Sequence, residues 1–422
     1  MTASIPILIS AGEASGDHYG ALLIRALRQR LGAAEFFGCA GERMQAAGCE
    51  ALVDAAEVAM VGLAEVIPGL PRVWRAFSRM ADSVHTRRPA FAVLIDFPDF
   101  NLRLAKKLKL AGVPVIYFVA PQVWAWRPWR LGTIRENVDR LLCIFPFEEK
   151  FFREAGVAAE FVGHPLVGRV APAMAATQFR SQMGIPEGPA LIALLPGSRR
   201  KEIALNLPPL LAAARLLAQE QECCFVLPVA STVAGEFVRS CAGASGVPLF
   251  LVRNQTYDAV AHAAVAWVAS GTATIETALL GTPMVVVYRV SAATWQMGRH
   301  LVRTPFYSMV NLVAGREIVP ELIQDRFQPE AVFAEARKLL CDPAARERMR
   351  TDLGEIARLL RPPRKGAISG AAEDLREKRA GASREEEFPD AIQRAAEVAE
   401  SIWKGTAYTE NRGSVSDVGI RW

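Results

Sequence analysis

The sequence predicts an α/β protein of two Rossmann-like domains facing a cleft. Two series of short apolar runs, separated by longer stretches of helical period, carry that expectation. Between the series lies a stretch rich in proline and glycine, as suits a linker. A chain of 422 residues, 51% of them hydrophobic, is also long enough to fill two separate cores.

In the first series, Ile5 to Ile9, Phe91 to Ile95, Val113 to Val119 and Arg140 to Phe145 read as buried strands of a parallel sheet. Helical period falls between them, at about Tyr19 to Leu31 and Asn101 to Ala111. The second series comprises Ala190 to Leu195, Phe225 to Val229, Leu249 to Val252, Ala264 to Ala269 and Met284 to Tyr288. The boundary falls within Gly168 to Pro189, which gives domains over 1–168 and 169–361. Pro362-Pro363 stops the preceding helix, and the charged stretch that follows, to Phe388, reads as a solvated insertion. Apolar helical period resumes over Ala391 to Trp403, and from about Thr409 the chain reads as a loose end. The segment 362–422 therefore stands apart as insertion, helix and tail.

Composition narrows the function classes. A net charge of +5 is too modest to mark a dedicated nucleic-acid binder, so positive potential must come from local clusters. The seven cysteines are scattered, odd in number and without a C-x-x-C pair, which predicts neither a zinc site nor a disulfide framework, and a reducing compartment. No export signal is read at the N-terminus, where Ser4 to Ser10 has the pattern of a strand. The longest uncharged run, Ala259 to Ile275, is broken by His262 and Ser270-Gly271-Thr272, so no membrane span is expected.

Three constellations could carry chemistry, two of them in the second series. Pro196-Gly-Ser-Arg-Arg-Lys-Glu202 follows a strand with a glycine that lets backbone approach a ligand, while Ser198, Arg199, Arg200 and Lys201 offer donors and positive charge. Taken alone it reads equally well as an exposed basic turn. Ala269-Ser-Gly-Thr-Ala-Thr-Ile-Glu276 leaves unpaired N–H groups at a helix start, where a diphosphate fits, with Glu276 available to a ribose. The plainer reading is that Glu276 complements the helix dipole and that Thr272 or Thr274 caps the helix.

The first series is acidic in the corresponding places. Glu13 and Asp17 lie in the turn Ser10-Ala-Gly-Glu-Ala-Ser-Gly-Asp17, and Asp96 and Asp99 in Ile95-Asp-Phe-Pro-Asp-Phe-Asn101. Carboxylates at the strand ends of one parallel sheet repel a diphosphate but can take a hydroxyl proton. Asp99 is placed to cap a helix beginning near Asn101, whereas Asp96 ends its strand without such a task and is the base candidate. His164, in Phe161-Val-Gly-His-Pro165, is a minor candidate, since a lone histidine is more often structural.

An acidic half and an anion-binding half together imply a nucleotide donor and a hydroxyl acceptor, the layout of a GT-B glycosyltransferase fold. The motifs named above, with Pro121-Gln-Val-Trp-Ala-Trp126 and Asn311-Leu-Val-Ala-Gly-Arg-Glu317, closely resemble the lipid-A-disaccharide synthase family from about Ile5 to Leu360. The resemblance implies transfer from UDP-2,3-diacylglucosamine to 2,3-diacylglucosamine 1-phosphate (lipid X), giving a β-1′,6-linked disaccharide 1-phosphate and UDP in lipid A biosynthesis of Gram-negative bacteria. An α donor and a β product imply inversion by one direct displacement, for which Asp96 is the expected base, with Glu13 and Asp99 as orienting partners. Gly197, Ser198, Arg199, Gly271, Thr272, Glu276 and Asn311 are then expected to bind the donor, and Arg316 and Glu317 to lie near it. By resemblance, neither a metal nor another cofactor is called for. For Asn311 alone, a turn residue is the competing reading.

Acylated substrates place such an enzyme on the cytoplasmic face of the inner membrane as a peripheral protein. Val73, Trp74, Phe77 and Met80 recur at helical spacing with Arg72, Arg75 and Arg79 between them, the pattern of an interfacial helix or of a core-facing helix with a solvated basic side. Trp124, Trp126 and Trp129 with Arg127 and Arg130 form a second basic aromatic patch, able to stack on a sugar or to pack in the cleft. A homodimer is left open, and a nucleic-acid partner is not expected. The rival readings are another GT-B enzyme acting on UDP-N-acetylglucosamine, either an epimerase or a transferase to a different acceptor, and a non-catalytic nucleotide binder at a membrane surface.

Overall fold

The computed structural model describes residues 4–58, 66–230, 233–298, 304–363 and 390–413. Most of the charged insertion and the tail beyond Gly413 lie outside the described residues. The chain divides into two compact units, one formed by 1–165 with 361–422 and the other by 166–360.

The first unit holds a parallel sheet of β1 (Ile5–Ala11), β2 (Ala34–Ala40), β3 (Cys49–Asp54), β4 (Phe91–Ile95), β5 (Val115–Phe118), β6 (Arg140–Cys143) and β7 (Ala159–Phe161). Its spatial order is β3-β2-β1-β4-β5-β6-β7, so the direction of winding reverses between β1 and β4. All five residues of β4 are buried, as a strand covered by helices on both faces requires. The strands β2, β3 and β7 escape the apolar pattern. In β2 the run is interrupted by exposed Glu35 and by Gly38, whose φ is 152° and where a Cβ would lie 1.9 Å from the Ile9 carbonyl oxygen. Only glycine lets the two backbones approach that closely.

Helices start earlier than their periodicity suggests. One spans Ala14–Leu31 and the next after β4 spans Pro98–Leu110, so each opens within a few residues of its strand. The helix Ala391–Gly413, set apart with the insertion in the sequence, instead packs against Ala14–Leu31 as part of the first unit. Ala391, Ile392, Ala395, Ala396 and Ala399 are buried at helical spacing. Arg30 bonds Glu400 at 2.7 Å, and Arg394 bonds Glu160 at 2.6 Å.

The helix Val66–Arg87 corrects the expected membrane-facing row. Met80, Ala76 and Val84 are in the core, and Val73 and Phe77 pack against it, Phe77 meeting the Phe100 ring edge-on at 5.5 Å. These positions share one helical face, and the sheet's own apolar surface claims it. Of the row, only Trp74 projects outward, at 70% exposure.

The second unit holds a parallel sheet of β8 (Ala190–Leu195), β9 (Cys223–Val229), β10 (Leu249–Arg253), β11 (Val265–Ala269), β12 (Met284–Tyr288) and β13 (Glu321–Ile323), in the order β10-β9-β8-β11-β12-β13. Winding reverses between β8 and β11. Among the described residues, no helix is long and apolar enough to cross a membrane.

Candidate active site

In each unit the candidate loops leave the carboxyl ends of the two strands at which winding reverses, the place where open α/β sheets bind ligands. Ala11 of β1 pairs with Ile95 of β4, so Gly12-Glu13 and Asp96 emerge side by side. In the second unit Leu195 of β8 pairs with Val268 of β11, which brings out Pro196 to Arg199 beside Ser270 to Thr272.

Asp96 sits at a strained turn. It and Phe97 take φ values of 46° and 51°, two consecutive non-glycine residues in the left-handed region, at a cost of about 1–3 kcal/mol each. Three bonds hold that backbone: Asp96 N donates to the Phe118 carbonyl at 3.0 Å, and the Asp96 carbonyl accepts from Tyr117 Oη at 2.5 Å and from Asn101 Nδ2 at 2.8 Å. The Phe97 ring fills the space over Gly12, where a Cβ would meet it at 2.4 Å. Burial first, and the Glu13 charge second, push the Asp96 carboxyl up to about 6, against the pull of a bond from the Phe97 N–H. It thus titrates close to neutrality, as a general base should. Glu13 occupies the position just before the helix Ala14–Leu31, with an exposed side chain.

The other acids of this edge have different partners. Asp17 is buried and accepts from the backbone N–H groups of Gly41, Arg43 and Met44 at 2.9 to 3.1 Å, so it caps the helix Glu42–Ala46 instead of facing Asp96. Asp99 does not cap its helix, which opens at Pro98; it is paired with Arg127, at 3.1 Å, and with Arg130. Trp124 is drawn inward, donating to Glu148 at 3.1 Å and meeting Phe147 edge-on, whereas Trp126 and Trp129 are exposed. Glu148 carries no signal in the sequence, yet burial pushes its carboxyl up to about 8. His164 is buried against Phe145, and burial lowers its pKa to about 3, which keeps the ring neutral.

In the second unit Gly197 has a φ of 124°, and a Cβ there would meet Glu202 Oε2 at 2.5 Å. That carboxylate accepts from Ser198 N at 3.0 Å and Arg199 N at 3.2 Å, closing the loop on the first turn of the helix Arg200–Glu220. One turn on, buried Asn206 donates to the Pro196 carbonyl at 2.9 Å and accepts from Arg289 N at 3.0 Å, fixing the loop to the end of β12. Gly271, whose φ of 151° is one that side chains rarely adopt, and Thr272 are exposed at the start of the helix Thr272–Leu279. No threonine side chain caps this helix: Thr274 Oγ1 folds back on the Gly271 carbonyl at 2.8 Å. Glu276 is half-buried, accepts from Tyr257 Oη at 3.1 Å, and has its pKa raised by burial.

Asn311 departs from its expected role. It is fully buried, donating to the Val319 carbonyl and Glu321 Oε1 and accepting from Ile318 N and Val319 N. Both N–H bonds and both acceptor sites are used, so its side chain organises the segment 308–321 instead of reaching a donor. Glu321 extends this network to the N–H groups of Tyr307 and Ser308, and Ser270 Oγ donates to the Tyr307 carbonyl at 2.7 Å. Arg316 is held by Asp352 at 2.7 Å, and Glu317 is exposed.

Two doubly wound parallel sheets, with an acidic switch point in one and a basic, glycine-bearing switch point in the other, are the elements of the GT-B fold. Solved structures of the same fold include the UDP-GlcNAc 2-epimerase of Neisseria meningitidis, at a TM-score of 0.53 and 11% identity over 85% of this chain and 99% of that one. The calicheamicin glycosyltransferase CalG4 gives 0.52 and 15%, over 85% and 95%. The sequence profile of the lipid-A-disaccharide synthetase family matches residues 7–365, and this chain belongs to that family. Lipid-A-disaccharide synthases of Solibacter usitatus and Myxococcus xanthus are each 46% identical to it, over 88% and 89% of this chain and 97% and 98% of theirs. The chain is a UDP-sugar glycosyltransferase of lipid A biosynthesis.

Proposed function

We propose that this enzyme joins UDP-2,3-diacylglucosamine to lipid X with inversion at the donor carbon. Asp96 takes the proton of the acceptor 6-hydroxyl as that oxygen bonds to C1 of the donor, and the bond from C1 to the UDP oxygen breaks. The half-buried Asp96 carboxyl, titrating near 6 at the first switch point, carries this reading. Gly197, Ser198 and Arg199, with the helix start after Gly271, hold the diphosphate and stabilise the charge it gains on leaving. Glu276 bonds the ribose, and burial, with the Glu13 charge adding to it, keeps the Asp96 pKa high. The first unit takes the acceptor and the second the donor.

Both substrates carry acyl chains, so the enzyme works as a peripheral protein on the cytoplasmic face of the inner membrane of a Gram-negative bacterium, with exposed Trp74, Trp126 and Trp129 suited to an interface. The test is UDP release from UDP-2,3-diacylglucosamine in detergent micelles, with and without lipid X, for wild type and Asp96→Asn. Release that needs lipid X and collapses in the variant supports the reading. Wild type that releases no UDP at any acyl length sinks it and points to another UDP-sugar.

A further inference from the structure

We propose that Arg127 and Arg130, with Asp99 as their resident counter-ion, form the site that takes the 1-phosphate of the acceptor sugar. This rests on the reading that the first unit binds lipid X.

The two guanidinium groups come from different local structures and converge on one oxygen. Arg127, in the loop after β5, has a φ of 58° and lies 4.2 Å over the Trp126 ring; its Nη1 is 3.1 Å from Asp99 Oδ1. Arg130 begins the helix Arg130–Asn137, and its Nη2 bonds the same Oδ1. The Arg130 side chain is only 14% exposed, whereas that of Asp99 is 66% exposed. Two cations thus share one carboxylate, so the group of three carries an excess positive charge. Tyr117, whose hydroxyl bonds the Asp96 carbonyl, lies within electrostatic reach of Asp96, Arg130 and Asp99 together.

A carboxylate has two oxygens and one charge, too few to fill two planar forks. A phosphate monoester brings three oxygens and a charge of about −1.5 to −2, which matches two guanidinium groups in number and in sign. Asp99 is exposed enough to yield its place cheaply, since a solvated ion pair is worth little. On a hexosamine 1-phosphate the carbon that bears the anion and the carbon that carries the 6-hydroxyl arm both flank the ring oxygen, so fixing the phosphate limits where that hydroxyl can lie. A phosphate held by Arg127 and Arg130 would therefore orient that hydroxyl toward Asp96. The left-handed backbone of Arg127 is a local strain of the kind that persists where geometry matters.

The test is equilibrium binding in micelles of lipid X and its 1-dephospho analogue, with glucosamine 1-phosphate against glucosamine as the lipid-free pair. Wild type should prefer each phosphorylated ligand by about tenfold or more, a modest figure for two charge-assisted contacts. Arg127→Gln and Arg130→Gln should lower that preference toward unity without changing UDP affinity, and Asp99→Asn should raise it. Equal preference in wild type and both arginine variants would overturn the site. Arginine-dependent preference for glucosamine 1-phosphate, with no turnover of lipid X, would keep the site and remove the reading it rests on. Asp96→Asn separates the base from the phosphate site: it should abolish turnover and leave the binding preference intact.

Discussion

Asn101 Nδ2 donates to the Asp96 carbonyl at 2.8 Å, and its Oδ1 accepts from Ser10 Oγ at 2.7 Å. A fully buried amide thereby links the ends of β1 and β4 at the turn that presents the base. Asn101→Leu leaves the Ser10 hydroxyl and the Ile95 carbonyl without this partner, at a cost of about 2–4 kcal/mol by the usual penalty for buried unpaired groups. Chemical denaturation measures that loss. Turnover should fall further than stability accounts for, with UDP affinity unchanged, because the strained Asp96 backbone loses one of its holds.

The pH dependence of turnover follows from Asp96. Its pKa is raised to about 6, and a base acts only when ionised, so kcat/KM should rise with pH and level off above that value. The stability effect has the opposite sign. A carboxyl with a raised folded-state pKa resists ionisation, so its cost to stability builds up from its ordinary value of 3.8 to about 6 and stays constant above. Asp96→Asn should therefore match wild type in Tm near pH 4 and exceed it at pH 7. A Tm difference that does not change with pH would contradict the shift.

Asp17 and Asp96 should separate cleanly by mutation. Asp17→Ala removes the acceptor of three N–H groups and should cost about 1–3 kcal/mol of stability. Measured below its melting range, the variant should keep the KM of wild type for both substrates.

Asn311→Asp places a second carboxylate against Glu321 in a buried network. The loss should be about 3–5 kcal/mol, the scale for an uncompensated buried charge. Asn311→Ser, which keeps polarity without the charge, should cost less. Activity in both should track the folded fraction if Asn311 acts by organising 308–321; a pure KM effect in a fully stable protein would place it on the donor.

The central strands are legible because burial on both faces makes them uniformly apolar, as in Phe91 to Ile95. The strand β2 is hidden by Gly38, and β13 is only three residues long. Asp96 is legible as an acid ending such a strand. What the other polar residues hold is set by partners far along the chain: Asp99 meets Arg127 and Arg130, 28 and 31 positions away, and Asp17 meets a helix start 24 positions on. No local pattern encodes those distances. The membrane row fails for a related reason, since period alone marks a face at Val73, Phe77 and Met80 without saying whether lipid or the protein's own sheet covers it.

The helix Ala391–Gly413 lies on Ala14–Leu31, so the first unit is written in two pieces with the whole of the second between them. On a ribosome, the second unit's sheet is complete once β13 has emerged. The opening helix, although made early and packed on β1 and β2, gains its remaining cover only from a helix that begins at Ala391. Folding order thus inverts reading order, and a nascent chain stalled near residue 360 carries a finished second unit and an unfinished first one.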